Sequence, residues 1–180
     1  ELVDDESSVL VLLDLGSKQR LGGSCLAQVY SQMGDVTPNI DDVGSFRALL
    51  ELIIQGKRRG DFLSLHDRSD GGLLASLLEM SFAGRLGLEI NIDANETLLE
   101  TLFNEEAGFV VQVSNATYAM LEASALGRCL PIAKIRQDDR VVISHGDEVV
   151  ADYSRSELQQ TWAKTSYKMQ SMRDSAACAN

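Results

Sequence analysis

The chain has 180 residues, of which 44% are hydrophobic and 24% are charged, a composition that predicts one soluble globular domain with a sizeable core. Its net charge of −11, from 27 acidic and 16 basic residues, argues against nucleic acid or an anionic membrane as a partner. The cysteines Cys25, Cys129 and Cys178 form no CxxC pair, and no apolar run approaches the ~20 residues that span a bilayer, so we expect a reducing, cytoplasmic compartment.

The first third of the chain begins with a strand and continues into two helices. Residues 9–13, VLVLL, predict a strand buried on both faces, and because the chain opens almost directly into it, we interpret the chain as a piece of a longer polypeptide. Ser24 is the expected N-cap of a helix that ends near Gly34. Asp41 or Asp42 is the expected cap of the second helix. That helix has apolar residues at helical spacing: Phe46, Leu49, Leu50, Ile53 and Ile54.

The remaining elements alternate at first and end with a hairpin and a helix. They are a strand at 62–65, a helix at 73–84, a strand at 86–92, a short helix at 98–103, a strand at 109–113, a helix at 116–126, strands at 131–135 and 140–144 with a return through VVADY, and a helix at 154–173 followed by a frayed tail. This order predicts an α+β fold, in which helices cover a layered mixed sheet. The predicted core includes Leu50, Ile53, Leu74, Leu77, Phe109 and Val111.

The segment HDRSDGG, residues 66–72, follows the predicted strand at 62–65 and leads into a helix. In one interpretation Asp67 and Asp70 offer hard oxygen ligands to Mg²⁺, Ser69 offers a hydroxyl to phosphate, and the glycines let the backbone approach a ligand. In the other it is an ordinary helix start, in which Ser69 or Asp70 is the N-cap and Arg68 is solvated. Composition alone does not decide between the two.

Two further segments have both a functional and a structural interpretation. Leu21-Gly22-Gly23-Ser24 could present free N–H groups to an anion, although close packing of the following helix on the first strand is favoured. The same segment lacks the GxSxG pattern, so neither Ser24 nor Cys25 is predicted to be a nucleophile. Asn104-Glu105-Glu106 could serve a metal or act as a base, or it could be a solvated helix end.

The two histidines are not predicted to be catalytic. His145 lies in the expected hairpin turn and should be exposed, and His66 has no second histidine nearby with which to bind a metal.

Five separated blocks resemble one family when they are taken in order. The blocks are LxLLDLG, LGGSxLAQVYxQxGD, HDRSDGGLLxxLxEMxFAG, LFNEExGxVxQV and TWAxTSxxMQxxRD, and they resemble the large single-chain phosphoribosylformylglycinamidine synthases of purine biosynthesis. The resemblance implies part of an ATP-dependent ligase that makes formylglycinamidine ribonucleotide from formylglycinamide ribonucleotide, glutamine and ATP. It places this chain in the C-terminal subdomain of the second of two halves that resemble aminoimidazole ribonucleotide synthetase.

The resemblance also implies a division of the chain and a set of partners. Residues 1–153 correspond to the synthetase-type domain, and residues 154–180 form a helix and tail that lead toward a C-terminal glutaminase domain. The upstream synthetase subdomains and that glutaminase are the implied partners.

The implied site is an auxiliary one, which holds ATP or ADP with Mg²⁺ without turnover. Asp67 corresponds to a Mg²⁺ ligand and Ser69 to a nucleotide contact, while Asp70, Gly71 and Gly72 shape the turn. The other metal ligands lie in the upstream subdomains, no catalytic residue falls in this chain, and the isolated chain is expected to be inert. Two alternatives stay open: an architectural domain that supports the glutaminase, and another member of the same ATP-binding superfamily, such as a selenophosphate synthetase or a hydrogenase-maturation protein, although these lack the TWAxTSxxMQ block.

Overall fold

The structure is a computed structural model that describes residues 1–15, 18–124 and 127–174. Its strands are β1 Ser8–Asp14, β2 Ser64–Asp67, β3 Gly87–Ile92, β4 Gly108–Ser114, β5 Arg128–Arg136, β6 Arg140–His145 and β7 Glu148–Ser154. Its helices are α1 Cys25–Val29, α2 Val43–Arg59, α3 Gly72–Gly84, α4 Leu98–Phe103, α5 Asn115–Ala123 and α6 Arg155–Arg173.

The seven strands found in the described ranges form one sheet in the order β2-β4-β1-β5-β3-β6-β7. Strands β3 and β6 run parallel, and all other neighbouring pairs are antiparallel. Strands β2 and β7 are therefore the two edges of the sheet. The register shifts between Leu10 and Val11 where β1 meets β5, and between Ile143 and Ser144 in the β6–β7 hairpin. The predicted mixed sheet and α+β class are confirmed.

Helices cover both faces of the sheet, and strand β1 contributes to both cores. Leu10 and Leu12 face the core that contains Leu77 of α3. Val11 and Leu13 of the same strand face the second core, on the side of α2. Because every residue of β1 is buried, the prediction of a strand covered on both faces is confirmed.

Strand β2 begins two positions later than predicted, at residue 64 instead of 62. Its position follows from its pairing with β4, in which Ser64 lies opposite Gln112 and Asp67 lies opposite Phe109. His66 and Asp67 therefore belong to the strand, although both were assigned to the segment after it. The short helix predicted at 98–103 matches α4.

Helix α1 is much shorter than predicted. Ser24 is its N-cap, as expected, and the Ser24 hydroxyl accepts the amide hydrogen of Ala27. The helix ends at Val29 instead of near Gly34, and Ser31 adopts a left-handed conformation with φ of 54°. Of its residues only Ala27 is buried, so little tertiary packing is available to extend a helix that is marginal by itself.

The predicted core is correct for three of its six residues. Ile53, Leu77 and Val111 are buried. Leu50, Leu74 and Phe109 are half-buried; Leu74 and Phe109 pack against the margins of the two cores. Asp42, one of the two predicted caps, is the N-cap of α2, and its carboxylate accepts the amide hydrogens of Gly44 and Ser45.

The C-terminal helix predicted at 154–173 is confirmed as α6. Several other predictions fall on Gly16, Leu126, Cys178 and the tail after Asp174, which lie outside the described residues. Within the described ranges, no helix combines the length and apolar character needed to cross a membrane.

Candidate functional site

The HDRSDGG segment lies at an edge of the sheet, where β2 passes into α3. His66 and Asp67 end β2, and Gly72 begins α3. Since side chains alternate along a strand, Asp67 shares with Leu65 the face on which α2 packs. The side chain of Asp67 is 71% exposed. It borders a cleft of about 530 Å³, whose walls also include Phe46 and Phe109.

Arg68 points into the protein, so the interpretation in which it is solvated is wrong. Its Nη1 lies 3.1 Å from Oδ2 of Asp14, and its Nε donates to the carbonyl of Glu106 at 2.6 Å. The backbone N–H of Arg68 also donates to the carbonyl of Gly108 at 2.8 Å. Burial raises the pKa of Asp14, and Arg68 opposes that rise. A carboxylate at the end of a fully buried strand needs a cation, although the sequence does not indicate which basic residue supplies it.

With Arg68 directed inward, its neighbours keep free polar groups. Among the described residues, the Asp67 carboxylate lies near one basic side chain, with its Oδ1 3.7 Å from Nδ1 of His66. Across the same ranges, the half-buried hydroxyl of Ser69 forms no hydrogen bond, and Asp70 is exposed. The segment therefore presents a carboxylate and a hydroxyl, two positions apart, that are available to a ligand.

The two glycines form a left-handed turn that leads into α3. Gly71 has φ of 85° and Gly72 has φ of 72°, a region that glycine enters without steric cost. A Cβ on Gly72 would lie 2.7 Å from the carbonyl carbon of Phe103, so this position also requires glycine for space. The N-cap of α3 is Gly71, without a side-chain cap, and the assignment of Ser69 or Asp70 as N-cap is wrong.

The segment Asn104-Glu105-Glu106 is hydrogen-bonded within the protein, so its interpretation as a solvated helix end is wrong. Oε1 of Glu105 accepts the backbone N–H groups of both Cys25 and Gly71, each at 2.8 Å. Glu106 is buried, and its Oε2 accepts from Nη2 of Arg20 at 2.8 Å. Sequence reasoning missed Arg20, which has no local pattern that marks it as a partner.

The LGGS segment packs closely, but not as predicted. In the described ranges α1 does not pack extensively against β1. The close approach is made by Gly22, where a Cβ would lie 2.4 Å from the carbonyl oxygen of Val36. The N–H of Cys25 is already bound by Glu105 and is not free for an anion. Burial, reinforced by Glu105, raises the pKa of the Cys25 thiol.

Both histidines have polar neighbours within the protein. Nε2 of His66 lies 3.3 Å from Oε2 of Glu79. His145 was expected to be exposed, but it is half-buried, with Nε2 at 2.9 Å from the carbonyl oxygen of Glu96. Residues 1–15, 18–124 and 127–174 contain no group of three or more His, Cys, Asp or Glu side chains placed to hold a metal ion.

Comparison with known proteins identifies the family. Residues 6–145 match the family described as AIR synthase related protein, C-terminal domain. The chain belongs to this family. The match covers the whole sheet except β7, together with helices α1 to α5.

Solved structures with this fold include much longer proteins. PurL of Thermotoga maritima complexed with FGAR matches with a TM-score of 0.68 and 14% identity, over 86% of this chain and 28% of that one. Phosphoribosylformylglycinamidine synthase II from the same organism matches with a TM-score of 0.64 and 15% identity, over 86% and 26%. The hydrogenase maturation protein HypE matches with a TM-score of 0.52 and 16% identity, over 83% and 56%. The chain thus spans about a quarter of the two Thermotoga proteins, and the likeness is one of fold.

Proposed function

We propose that this chain is the C-terminal subdomain of the second synthetase-like half of a large phosphoribosylformylglycinamidine synthase. In this role it contributes Asp67 and Ser69 to a magnesium–nucleotide site that upstream subdomains complete. The five sequence blocks support the assignment, as does the family of the chain. Structures of the similar Thermotoga protein PurL are described as complexes with ATP, AMPPCP, ADP and FGAR, which supports nucleotide and formylglycinamide ribonucleotide as ligands of the whole enzyme.

The observation that carries the proposal is the inward direction of Arg68. Its ion pair with Asp14 anchors the middle of the Asp67-Arg68-Ser69 sequence, so the residues on either side are held with free polar groups. Mg²⁺ in nucleotide sites is usually bound by one or two carboxylates together with phosphate oxygens and water. Asp67 would supply one such carboxylate, and the Ser69 hydroxyl would donate to a phosphate oxygen.

The nearby helix favours the same ligand. Helix α3 has 13 residues and begins three positions after Ser69, so the positive end of its dipole adds a favourable field for phosphate. Asp70, Gly71 and Gly72 would shape the turn. None of the residues in this chain is assigned a catalytic role, and the chain alone should have neither ligase nor glutaminase activity.

The proposal includes the organisation of the complete cytoplasmic enzyme. Residues 1–153 would form the synthetase-type domain, and residues 154–180 would lead toward a C-terminal glutaminase. The partners of the chain would then be other domains of the same polypeptide, and the substrates of the whole enzyme would be formylglycinamide ribonucleotide, glutamine and ATP.

Substitution of Asp67 by alanine in the complete synthase tests the proposal. The variant should retain less ADP per chain and melt at a lower temperature, because a ligand bound only to the native state stabilises it by mass action. Glutamine hydrolysis should be nearly unchanged. Asp147→Ala, in the β6–β7 turn, is the matched control and should retain the nucleotide. Full retention by Asp67→Ala with unchanged melting would mean that HDRSDGG serves only to begin α3.

An architectural role is the second candidate, and α6 is the feature that favours it. None of the 19 residues of α6 is buried, so the helix offers a large surface to another domain. The two candidates differ in a binding measurement with Mg²⁺ and ADP on this chain, with and without the upstream part of the synthase. Binding that depends on both parts supports the nucleotide site, and binding by the upstream part alone supports the architectural role.

A further inference from the structure

One carboxylate, that of Glu105, joins two glycine-containing turns that are distant in the sequence. The turns are Leu21–Ser24, ahead of α1, and Ser69–Gly72, ahead of α3. A single oxygen, Oε1 of Glu105, accepts the N–H of Cys25 at 2.8 Å and the N–H of Gly71 at 2.8 Å. The carboxylate is half-buried between the two turns, so it links them directly.

Both donors need such an acceptor. Cys25 is the first residue of α1, and the N–H groups in the first turn of a helix have no partner inside the helix. Gly71 is the N-cap of α3, and no side chain caps that helix. Glu105 therefore accepts the N–H of the N-cap residue itself, the hydrogen bond that the acidic residue of a capping box makes.

The ion pair of Arg68 anchors the chain before this turn, and the two glycines that follow need restraints of their own. Gly71 and Gly72 both have positive φ, and glycine has the widest conformational freedom of any residue. The chain at Asn104 approaches Gly72 closely, since a Cβ there would lie 2.8 Å from the carbonyl oxygen of Asn104. The chain at residues 104–105 thus restrains Gly72 by contact and Gly71 by a hydrogen bond.

We propose that Glu105 is a positioning residue of the nucleotide site, an inference that rests on the function proposed above. The carbonyl of Ser69 accepts the N–H of Gly72 at 2.9 Å, so the residues from Ser69 to Gly72 form one hydrogen-bonded unit. Glu105 holds that unit and thereby fixes the direction of the Ser69 hydroxyl. Its Oε1 is engaged with backbone donors, so the role requires no contact with the ligand.

The geometry of the two hydrogen bonds allows substitutions to distinguish a positioning role of Glu105 from a role that depends on its charge. Because both hydrogen bonds use Oε1, glutamine can accept both through its amide oxygen, although it carries no charge. Aspartate keeps the charge but is one methylene shorter and cannot reach both donors. Positioning therefore predicts that Glu105→Gln is tolerated and Glu105→Asp is not, whereas an electrostatic role predicts the reverse.

The experiment measures the Kd for ADP with Mg²⁺ in the complete synthase by calorimetry. Glu105→Asp should weaken binding by about tenfold, the effect of roughly one lost charge-assisted hydrogen bond. Glu105→Gln should remain within about threefold of the parent, less than one neutral hydrogen bond is worth. Glu100→Asp is the matched control, since it makes the same change on α4 without touching either turn, and it should leave the Kd unchanged.

A second measurement needs no nucleotide. Hydrogen exchange at the Gly71 amide of this chain should accelerate in Glu105→Asp and remain slow in Glu105→Gln. An unchanged Kd in Glu105→Asp, or a larger loss in Glu105→Gln, would overturn the inference. Asp67→Ala in the same assay distinguishes failure of the proposed nucleotide site from failure of the role of Glu105. If Asp67→Ala leaves the Kd unchanged, the proposed nucleotide site is wrong. If Asp67→Ala weakens binding and Glu105→Asp does not, only the role of Glu105 is wrong.

Discussion

Helices α3 and α6 pack against each other but are held in the fold in different ways. Helix α3 has 13 residues and buries seven of them. Helix α6 has 19 residues and buries none. The contact between them includes Phe82 and Trp162, whose ring centroids are 5.9 Å apart. A long helix can therefore belong to this fold with very little burial, provided that other interactions fix its ends.

The ends of the two helices explain how this is possible. Helix α3 begins at a glycine without a side-chain cap, and its apolar face holds it against the sheet. Helix α6 begins at Ser154, whose hydroxyl accepts the N–H of Glu157, and the Asp139 carboxylate accepts hydrogen bonds from the hydroxyls of Ser154 and Ser156. Burial thus fixes the first helix, while polar capping, one aromatic contact and the half-buried Leu158 at the margin of the core hold the second.

The largest expected effect on stability is at Arg68, which lies between β2 and α3. Arg68→Met should lower the free energy of unfolding of the chain by about 3–5 kcal/mol, because the Asp14 carboxylate would be left buried without its cation. Urea unfolding monitored by circular dichroism measures the change. The double variant Arg68→Met with Asp14→Asn should be more stable than Arg68→Met alone, since it removes the uncompensated charge. A double variant that is less stable would contradict this account.

A core substitution in α3 tests directly whether burial holds that helix. Leu77 is fully buried, and Leu77→Ala should cost about 2–5 kcal/mol through lost contacts and the cavity left behind. Met172→Ala, at an 80% exposed position on α6, is the control and should change stability by less than about 0.5 kcal/mol. Similar losses at both positions would remove the contrast between the helices.

The aromatic contact should have a smaller effect. Trp162 is 62% exposed, and its ring is tilted by 54° relative to that of Phe82. Trp162→Ala should cost about 0.5–1.5 kcal/mol, the range for aromatic pairs. Proteolysis within α6 should also become faster than in the parent. No change in either stability or cleavage would mean that the aromatic contact does not help to hold the helix.

The smallest effect concerns the polar cap of α6 and depends on pH. Hydrogen bonds from Ser156 and Ser154, with Arg155 nearby, lower the pKa of Asp139 to about 2, below the value of about 3.9 for an unfolded aspartate. Because the folded pKa is depressed, the stabilisation is complete above about pH 4 and is lost as the pH falls toward 2. The difference in melting temperature between the parent and Asp139→Asn should be constant from pH 5 to 7 and shrink below pH 4.

Much of the architecture could be predicted because its signals are local. The apolar run of β1, the cap at Ser24 and the apolar spacing of α3 each depend on residues close in sequence. The boundaries of β2 could not be predicted in the same way, because they are set by pairing with β4, which lies some distance along the chain. Helix α1 was overestimated for a similar reason: its length depends on packing, and only Ala27 is buried.

The sequence predicted the residues of the candidate site that are available to a ligand, but not the buried contacts that hold them in place. The residue types of HDRSDGG indicated possible ligands for a metal ion and for phosphate, and Asp67 and Ser69 have free polar groups there. Arg68 was interpreted as solvated and Glu105 as part of a helix end, because their partners, Asp14 and the N–H groups of Cys25 and Gly71, come from distant parts of the chain. Polar contacts of this kind leave no periodic pattern in the sequence.

The position of β7 at the edge of the sheet has a consequence for self-association. An outer strand presents unpaired backbone groups to which a strand of another molecule can add. On β7 this backbone is accompanied by Val149 and Tyr153, which are 59% and 55% exposed. The register shift in the hairpin and the net charge of −11 oppose such strand addition. When acid or high salt weakens the charge repulsion, aggregation of the chain should begin at β7.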